Sequence, residues 1–308
     1  MMGRMSEKSS GRAVLLVLVA SMLFGTTGTA QELGPDGLDP LAVGAARVVL
    51  AGAVLAALAW ARGAFRGVPS APRGVLLAGA VGVALYQIGF FTGVRLAGVA
   101  VGTVVALGSC PVWTGVVEWV VTRRPPGTRW ALATALAVAG TTVLVLTGPE
   151  TDGNGALIGL VPALVAGLGY GIYTVAGGRL ISSGQRSDGA MGLLFGASAV
   201  LLLPVLALRW PGGLDSAGGL AVAGYLALVP TVLAYLLFGA GLRVLPASVV
   251  ATLNLAEPVV AAALGILVLS EPVTWGTGVG ALLVFTGLSL LAAPARRPRT
   301  TAATTATR

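Results

Sequence analysis

The chain has 308 residues, of which 56% are hydrophobic and only 10% are charged, against the roughly 25% of charged residues in a typical soluble domain. It contains no histidine and one cysteine, Cys110, which excludes disulfide frameworks, Cys/His zinc sites and Ser-His-Asp or Cys-His nucleophile systems. The net charge of +8 does not indicate nucleic-acid binding, because the basic residues are dispersed between apolar segments. This composition indicates a polytopic membrane protein, and we expect no metal or cofactor.

Ten apolar stretches have lengths near the 20 or so residues that a helix needs to cross a bilayer. The sequence therefore predicts an all-α membrane protein with ten transmembrane helices. The first stretch has a competing interpretation as a cleavable signal peptide, because basic residues precede it and "GTAQE" follows at 28–32. In chain order the predicted spans are 12–31, 40–61, 73–94, 98–121, 128–147, 156–178, 189–208, 217–242, 246–269 and 273–293.

The basic residues are distributed unevenly between the two sides of this ten-span arrangement. Sixteen fall on the side of the N-terminus, whereas only Arg95 and Arg209 fall on the other side and Arg47 lies inside a span. Short cytoplasmic loops of membrane proteins carry an excess of Lys and Arg. The pattern thus predicts a multi-pass protein of the cell (inner or plasma) membrane with both termini in the cytoplasm.

The second half of the chain repeats the first after a shift of 147 residues. "PVWTGVVEWVVTRRPPGTRWALATALAVAG", which starts at Pro111, then aligns with "PVVAAALGILVLSEPVTWGTGVGALLVFTG", which starts at Pro258. Five spans per half is an odd number, so the second half enters the membrane from the opposite side. Such inverted repeats are typical of transporters and enclose a central site that neither half forms alone.

The repeat predicts two five-helix halves and a tail. The expected halves are residues 1–147 and 148–293, and the basic, low-complexity segment 294–308 is expected to be a disordered cytoplasmic tail.

Several features carry a resemblance to a known family. Phe24-Gly25 and Tyr170-Gly171 occupy similar places in the two halves, Arg47 lies in the second span, and "EPVVAAALGILVLSEPVTWGTGVGALLVFTG" fills 257–287. Together with the ten spans, these features resemble the EamA-type branch of the drug/metabolite transporter superfamily over roughly residues 12 to 293. The resemblance implies a ten-helix carrier, often an exporter of amino acids or other small polar metabolites.

Glu257 is the main candidate for a coupling or substrate-binding residue. It lies roughly 17 Å from the cytoplasmic edge of a core about 30 Å thick, where an acid costs about 2.5–3.5 kcal/mol on insertion scales. Asn254 shares its helix face, and Pro258 removes a backbone donor and predicts a helix break. The carboxyl is interpreted as a proton-coupling or amine-binding group; the alternative is a neutral hydrogen-bonding group that supports a kinked helix.

Arg47 lies at a similar depth in the second span. Three roles are open to it: it could neutralise Glu257, bind a substrate carboxylate, or cap helix ends. Glu118, close to Arg123 and Arg124 at the end of the fourth span, is interpreted as part of a salt bridge at the inner mouth, with a coupling role as the alternative.

Other polar and aromatic side chains within the spans are candidates for the wall of a central cavity, because binding sites combine aromatic surfaces with a few polar groups. For each of them alone, an interfacial anchor or a helix contact is the competing interpretation. Pro111, which aligns with Pro258, predicts a second helix break. The candidate wall residues are Tyr86, Gln87, Trp113, Tyr170, Tyr173 and Tyr235.

The sequence therefore predicts a secondary active transporter that moves small polar or amphipathic metabolites outward by alternating access. Protons are the candidate coupling ion. The bilayer and a small molecule are the expected partners, a homodimer is left open, and nucleic acid is not expected. The alternatives are an organic-phosphate or nucleotide-sugar carrier, a membrane-embedded enzyme, or a non-transporting membrane subunit.

The predicted topology is tested by reporter fusions. A reporter fused after residue 308 is expected to be cytoplasmic and one inserted near Asp152 external, because basic residues favour the cytoplasmic side. A cytoplasmic signal at Asp152 would contradict both the ten-span arrangement and the inverted repeat.

Overall fold

A computed structural model of the chain describes residues 2–66, 69–147, 157–270 and 272–292, and these residues form helices and connecting turns without a strand. A short 3-10 turn, Leu157–Gly159, precedes α6. The helices are α1 (Met2–Glu32), α2 (Pro40–Ala61), α3 (Arg73–Ala97), α4 (Val99–Thr122), α5 (Thr128–Leu146), α6 (Leu160–Ser182), α7 (Ser187–Arg209), α8 (Ala217–Ala227), α9 (Ala234–Leu242), α10 (Ala247–Leu253), α11 (Glu257–Val268) and α12 (Trp275–Ala292).

Ten helical segments in the described residues are long and apolar enough to cross a membrane, as the sequence predicts. The eighth span consists of α8, a π-helical turn and α9, and the ninth consists of α10, a 3-10 turn and α11. The first span is part of the bundle, since Val17 and Ala20 on α1 are fully buried. The predicted boundary between the halves adjoins residues 148–156, and these residues and the predicted tail 294–308 lie outside the described part of the chain.

The helices pack in a pattern that relates the two halves. α2 packs along α7 and α5 along α12, so equivalent spans of the two halves face each other. The first helix of each half is held by the third and fourth spans of the other half: α3 and α4 pack on α6, and α9 and α11 pack on α1. This exchange is the contact pattern of an inverted repeat, and it confirms the predicted fold class.

Glycines allow the closest helix approaches between the halves. A Cβ atom on Gly82 of α3 would lie 2.8 Å from the carbonyl oxygen of Gly169 on α6, and a Cβ on Gly169 would lie 2.6 Å from that of Gly82. The same relation joins Gly140 of α5 to Gly280 of α12, at 2.6 and 2.7 Å. Small residues at such crossings bring helix backbones into contact where no hydrophobic force drives association in lipid.

The face at which α1 begins and α12 ends is here called the terminal face. At this face α4 and α10 are joined, because the carboxylate of Glu118 accepts hydrogen bonds from the backbone nitrogens of Ala247 and Ser248, at 3.0 and 2.9 Å. Anionic groups stabilise helix N-termini in this way. In the described residues Glu118 forms no ion pair with Arg123 or Arg124, so the interpretation of a salt bridge is wrong.

Two positions on α6 test the packing account. Gly169→Ala is expected to destabilise the protein by about 1–3 kcal/mol, because the methyl group would overlap the α3 backbone. Gly178→Ala on the same helix is the matched control: a Cβ there meets nothing within 4 Å, and alanine favours helix by up to about 1 kcal/mol. Thermal unfolding of the purified protein measures both, and equal midpoints would contradict the account.

Candidate functional site

The break in the ninth span positions the candidate carboxyl group. Pro258 is the second residue of α11, where its missing N–H is not needed by the helix, and the chain before it forms the 3-10 turn Asn254–Ala256. Within this turn, Nδ2 of Asn254 donates to Oε2 of Glu257 at 3.1 Å. Oγ of Ser21 on α1 lies 2.9 Å from Oδ1 of Asn254 and donates to it. The carboxyl group of Glu257 is therefore held by the amide of Asn254, and Ser21 of the first half holds that amide in place.

Glu257 borders a small cavity between the two halves. Leu107 and Cys110 of α4 and Tyr170 of α6 form its wall on one side, and Asn254, Glu257 and Pro258 of the ninth span contribute to the other. Its volume is about 10 Å³, close to the space that one water molecule needs. The expected cavity with walls from both halves is present, but in this conformation it is too small for a metabolite.

Cys110 is the counterpart of Glu257 in the repeat. The 147-residue shift that aligns Pro111 with Pro258 also places Cys110 on Glu257, and both residues line the cavity. Sequence reasoning did not assign Cys110 to the site, although the shift contained the signal. Ser21 was also missed, because a serine in an apolar helix has no distinctive pattern.

Near Cys110 and Glu257, the first helix of each half approaches the backbone of the fourth span of the other half in an equivalent way. A Cβ on Gly25 would lie 2.9 Å from the carbonyl oxygen of Glu257, and a Cβ on Gly171 would lie 2.9 Å from the backbone nitrogen of Thr114. Gly25 and Gly171 belong to the two aromatic-glycine pairs. Their glycines therefore allow each first helix to contact the fourth span of the opposite half.

An aromatic cluster extends from the cavity toward α7 and α9. Tyr86 contacts Tyr170 and Tyr173 edge to face, with ring centroids 5.9 and 6.1 Å apart, and the hydroxyls of Tyr173 and Tyr235 lie 2.8 Å apart. The hydroxyl of Tyr170 is buried without a hydrogen-bond partner in the described residues. The rings in mutual contact are those of Phe24, Tyr86, Phe90, Phe91, Tyr170, Tyr173, Phe195, Tyr235 and Phe238.

Arg47 and Gln87 form a polar pair beside this cluster. Nη2 of Arg47 donates to Oε1 of Gln87 at 2.9 Å, which joins α2 to α3. Nε of Arg47 and Nε2 of Gln87 are buried, and neither donates to an acceptor in the described residues. No ion pair joins Arg47 to Glu257 in this part of the chain. The pair thus leaves two donors available inside the protein.

Several predicted site residues do not lie where the sequence prediction placed them. Of the predicted wall residues, Tyr170 borders the central cavity among the described residues, whereas Tyr86, Gln87, Trp113, Tyr173 and Tyr235 do not. Trp113 also makes no ring contact with the aromatic cluster in this part of the chain. α4 continues through Pro111, so the prediction of a helix break at this residue is wrong. Packing on α6 holds this helix, since Gly171 approaches the backbone of Trp113 and Thr114, and transmembrane helices tolerate proline where neighbours support them.

The fold and site define a class: a multi-pass membrane protein in which two inverted halves enclose a cavity with a carboxyl group. The model of the EamA-like transporter family matches the chain twice, over residues 11–146 and 157–293. The chain belongs to this family, which confirms the resemblance seen in the sequence, and it is a membrane transporter.

Individual proteins that are similar to it include a bacterial transporter and a protein of known structure. The protein described as "Uncharacterized transporter YwfM" from Bacillus subtilis (strain 168) is 36% identical over 286 residues, which cover 93% of this chain and 95% of that protein. A crystal structure with 20% sequence identity superposes with a TM-score of 0.75 and covers 91% of this chain and 96% of its own. The latter similarity shows the shared fold.

Cys110 provides a native probe of the cavity. Because its side chain is buried beside a cavity of about 10 Å³, N-ethylmaleimide is expected to modify it at least roughly tenfold more slowly than an exposed thiol. The control is Arg124→Cys in a Cys110→Ala background, where the thiol lies at the exposed end of α4. Comparable labelling rates, followed by mass spectrometry, would show that the site is open to solvent.

Proposed function

We propose that the protein is a secondary active transporter that exports small polar or amphipathic metabolites and is coupled to protons. The observation that carries this proposal is the position of Glu257: a carboxyl group at the middle of the ninth span, in a cavity with walls from both inverted halves. A carboxyl in that position is costly to insert into the membrane, and ionisable residues inside membrane spans are most often functional.

Proton coupling follows from the surroundings of Glu257. One oxygen of its carboxyl accepts a hydrogen bond from Asn254, and the cavity beside it is barely large enough for one water molecule. A change in hydration or the arrival of a cationic group would alter the free-energy difference between the charged and the neutral carboxyl. If proton binding and substrate binding exclude each other at this position, an inward proton gradient drives export.

The side chains around the cavity support the substrate class. Tyr170 gives the cavity an aromatic wall that the rest of the aromatic cluster extends, and Glu257 offers a partner for an amine. Beside the cluster, outside the present cavity lining, Nε of Arg47 and Nε2 of Gln87 offer donors to an oxygen atom. Pockets of this composition bind small molecules with both apolar and polar groups. The proposal therefore favours amino acids and related amphipathic metabolites over large anions.

Contacts at the terminal face support alternating access. There Glu118 joins the fourth span to the ninth. The fifth span is joined to the ninth by the hydrogen bond from Nε1 of Trp130 to the carbonyl oxygen of Ser248 and by that between the hydroxyls of Thr134 and Thr252. Toward the opposite face, in the part of the chain that the structure describes, α4 does not pack along α11 as it packs on α10, whereas α5 contacts both. In the proposal these terminal-face contacts break when the carrier loads substrate from the cytoplasm and form again before release.

Glu257→Gln tests the coupling role. The amide keeps the size of the side chain but cannot titrate, so this variant is expected to lose proton-driven export while it folds normally, and Glu257→Asp is expected to retain part of the activity. Metabolite profiles of medium and cells, with and without expression, identify the substrate. Its uptake into inside-out membrane vesicles, with an imposed proton gradient, measures the transport.

Glu32→Gln is the matched control, because Glu32 is an exposed carboxyl at the end of α1. It is expected to transport as the unmodified protein does. If Glu257→Gln transports at the normal rate and with normal pH dependence, the coupling role is wrong. An unchanged metabolite profile would instead contradict export itself.

A further inference from the structure

A second and larger cleft lies at the terminal face, apart from the cavity at Glu257. Its volume is about 640 Å³, within the range of about 300–1,000 Å³ that is usual for sites that bind small molecules. It is formed where the ends of α2, α6 and α9 meet the start of α7. α2 belongs to the first half and the other three helices to the second, so an occupant would contact both halves.

The charges of this terminal-face cleft are predominantly positive. Three arginines line it, Arg62, Arg186 and Arg243, together with one acidic residue, Asp188. Asp188 is paired with Arg186 through two hydrogen bonds, from Nε to Oδ1 at 3.1 Å and from Nη2 to Oδ2 at 2.9 Å. That ion pair neutralises one arginine and leaves two positive charges in the cleft.

The two remaining guanidinium groups have no partner of their own. In the part of the chain that the structure describes, neither the side chain of Arg62 nor that of Arg243 forms an ion pair or a hydrogen bond. Arg62 extends from the end of α2 and Arg243 from the end of α9. Planar guanidinium groups bind phosphate oxygens through paired hydrogen bonds, and two of them around one cleft favour a phosphate over a single carboxylate.

The cleft also has an apolar part. Ile181, near the end of α6, and Leu236, on α9, contribute to its wall, and Leu236 follows Tyr235 of the aromatic cluster in sequence. A ligand with an apolar group next to its phosphate would therefore use more of the cleft than a bare anion. Anionic lipid head groups at the cytoplasmic leaflet have this chemistry, and so do small soluble phosphate esters.

We propose that the terminal-face cleft is a binding site for a phosphate group, held by Arg62 and Arg243. Because these arginines come from different halves of the repeat, the bound phosphate links the halves and stabilises the conformation in which both side chains face the cleft. The site is independent of Glu257 and of the coupling mechanism.

The test measures the thermal unfolding of the full-length protein reconstituted in phosphatidylcholine vesicles. In one arm phosphatidylglycerol is titrated into the vesicles, and in the other glycerol 3-phosphate is added to vesicles of phosphatidylcholine alone. The double variant Arg62→Gln/Arg243→Gln is compared with the matched control Arg123→Gln/Arg124→Gln, which removes two exposed arginines at the same face but outside the cleft.

At least one of the two probes is expected to raise the unfolding temperature of the unmodified protein and of the control. The double variant is expected to bind that probe roughly fivefold more weakly. A response to phosphatidylglycerol alone identifies a lipid head group as the ligand, and a response to glycerol 3-phosphate identifies a soluble ester. Equal weakening in the control, or no response to either probe, would overturn the proposal. If the double variant does not fold, the single variants Arg62→Gln and Arg243→Gln decide by the same comparison.

Discussion

The hydrogen bond between Asn254 and Glu257 is the interaction on which the site depends. A carboxyl group at the middle of a membrane span is costly unless polar groups surround it, because lipid offers no hydrogen bonds. In this protein the amide of Asn254 supplies such a group, and Ser21 on the first helix of the other half fixes the amide at 2.9 Å. Because the helix is interrupted before Pro258, Asn254 lies in a 3-10 turn next to Glu257, where its amide reaches the carboxyl group. The carboxyl is therefore placed by both halves, although one residue carries it.

The inverted repeat explains how the two halves share a site, and in the proposed alternating access it is also what lets them move past each other. Glycines form the close crossings between α3 and α6 and between α5 and α12, so the halves meet through smooth surfaces. At the terminal face, polar contacts join the ninth span to the fourth through Glu118 and to the fifth through Trp130 and Thr134. The repeat is symmetric in its backbone but asymmetric in its chemistry, because Cys110 occupies the position that corresponds to Glu257.

Much of the fold follows from the sequence alone. Apolar segment lengths predict ten spans, the 147-residue shift predicts the inverted repeat, and Asn254, Glu257 and Pro258 lie together because they are close in sequence. Contacts that depend on helix rotation could not be predicted. Periodicity does not show that Glu118 would bind the N-terminus of α10, or that Trp113 would lie away from the other aromatic rings. The extent to which the cavity is open depends on the conformation, which a sequence does not specify.

Infrared difference spectroscopy of the protein in lipid, recorded during a pH titration, tests the central claim most directly, because a protonated carboxyl has its own C=O band. The account predicts a band that titrates reversibly in the unmodified protein and in Glu32→Gln, and that is absent in Glu257→Gln. It also predicts that addition of the transported metabolite changes the midpoint of that band. A spectrum of Glu257→Gln identical to that of the unmodified protein across the physiological pH range would contradict the account.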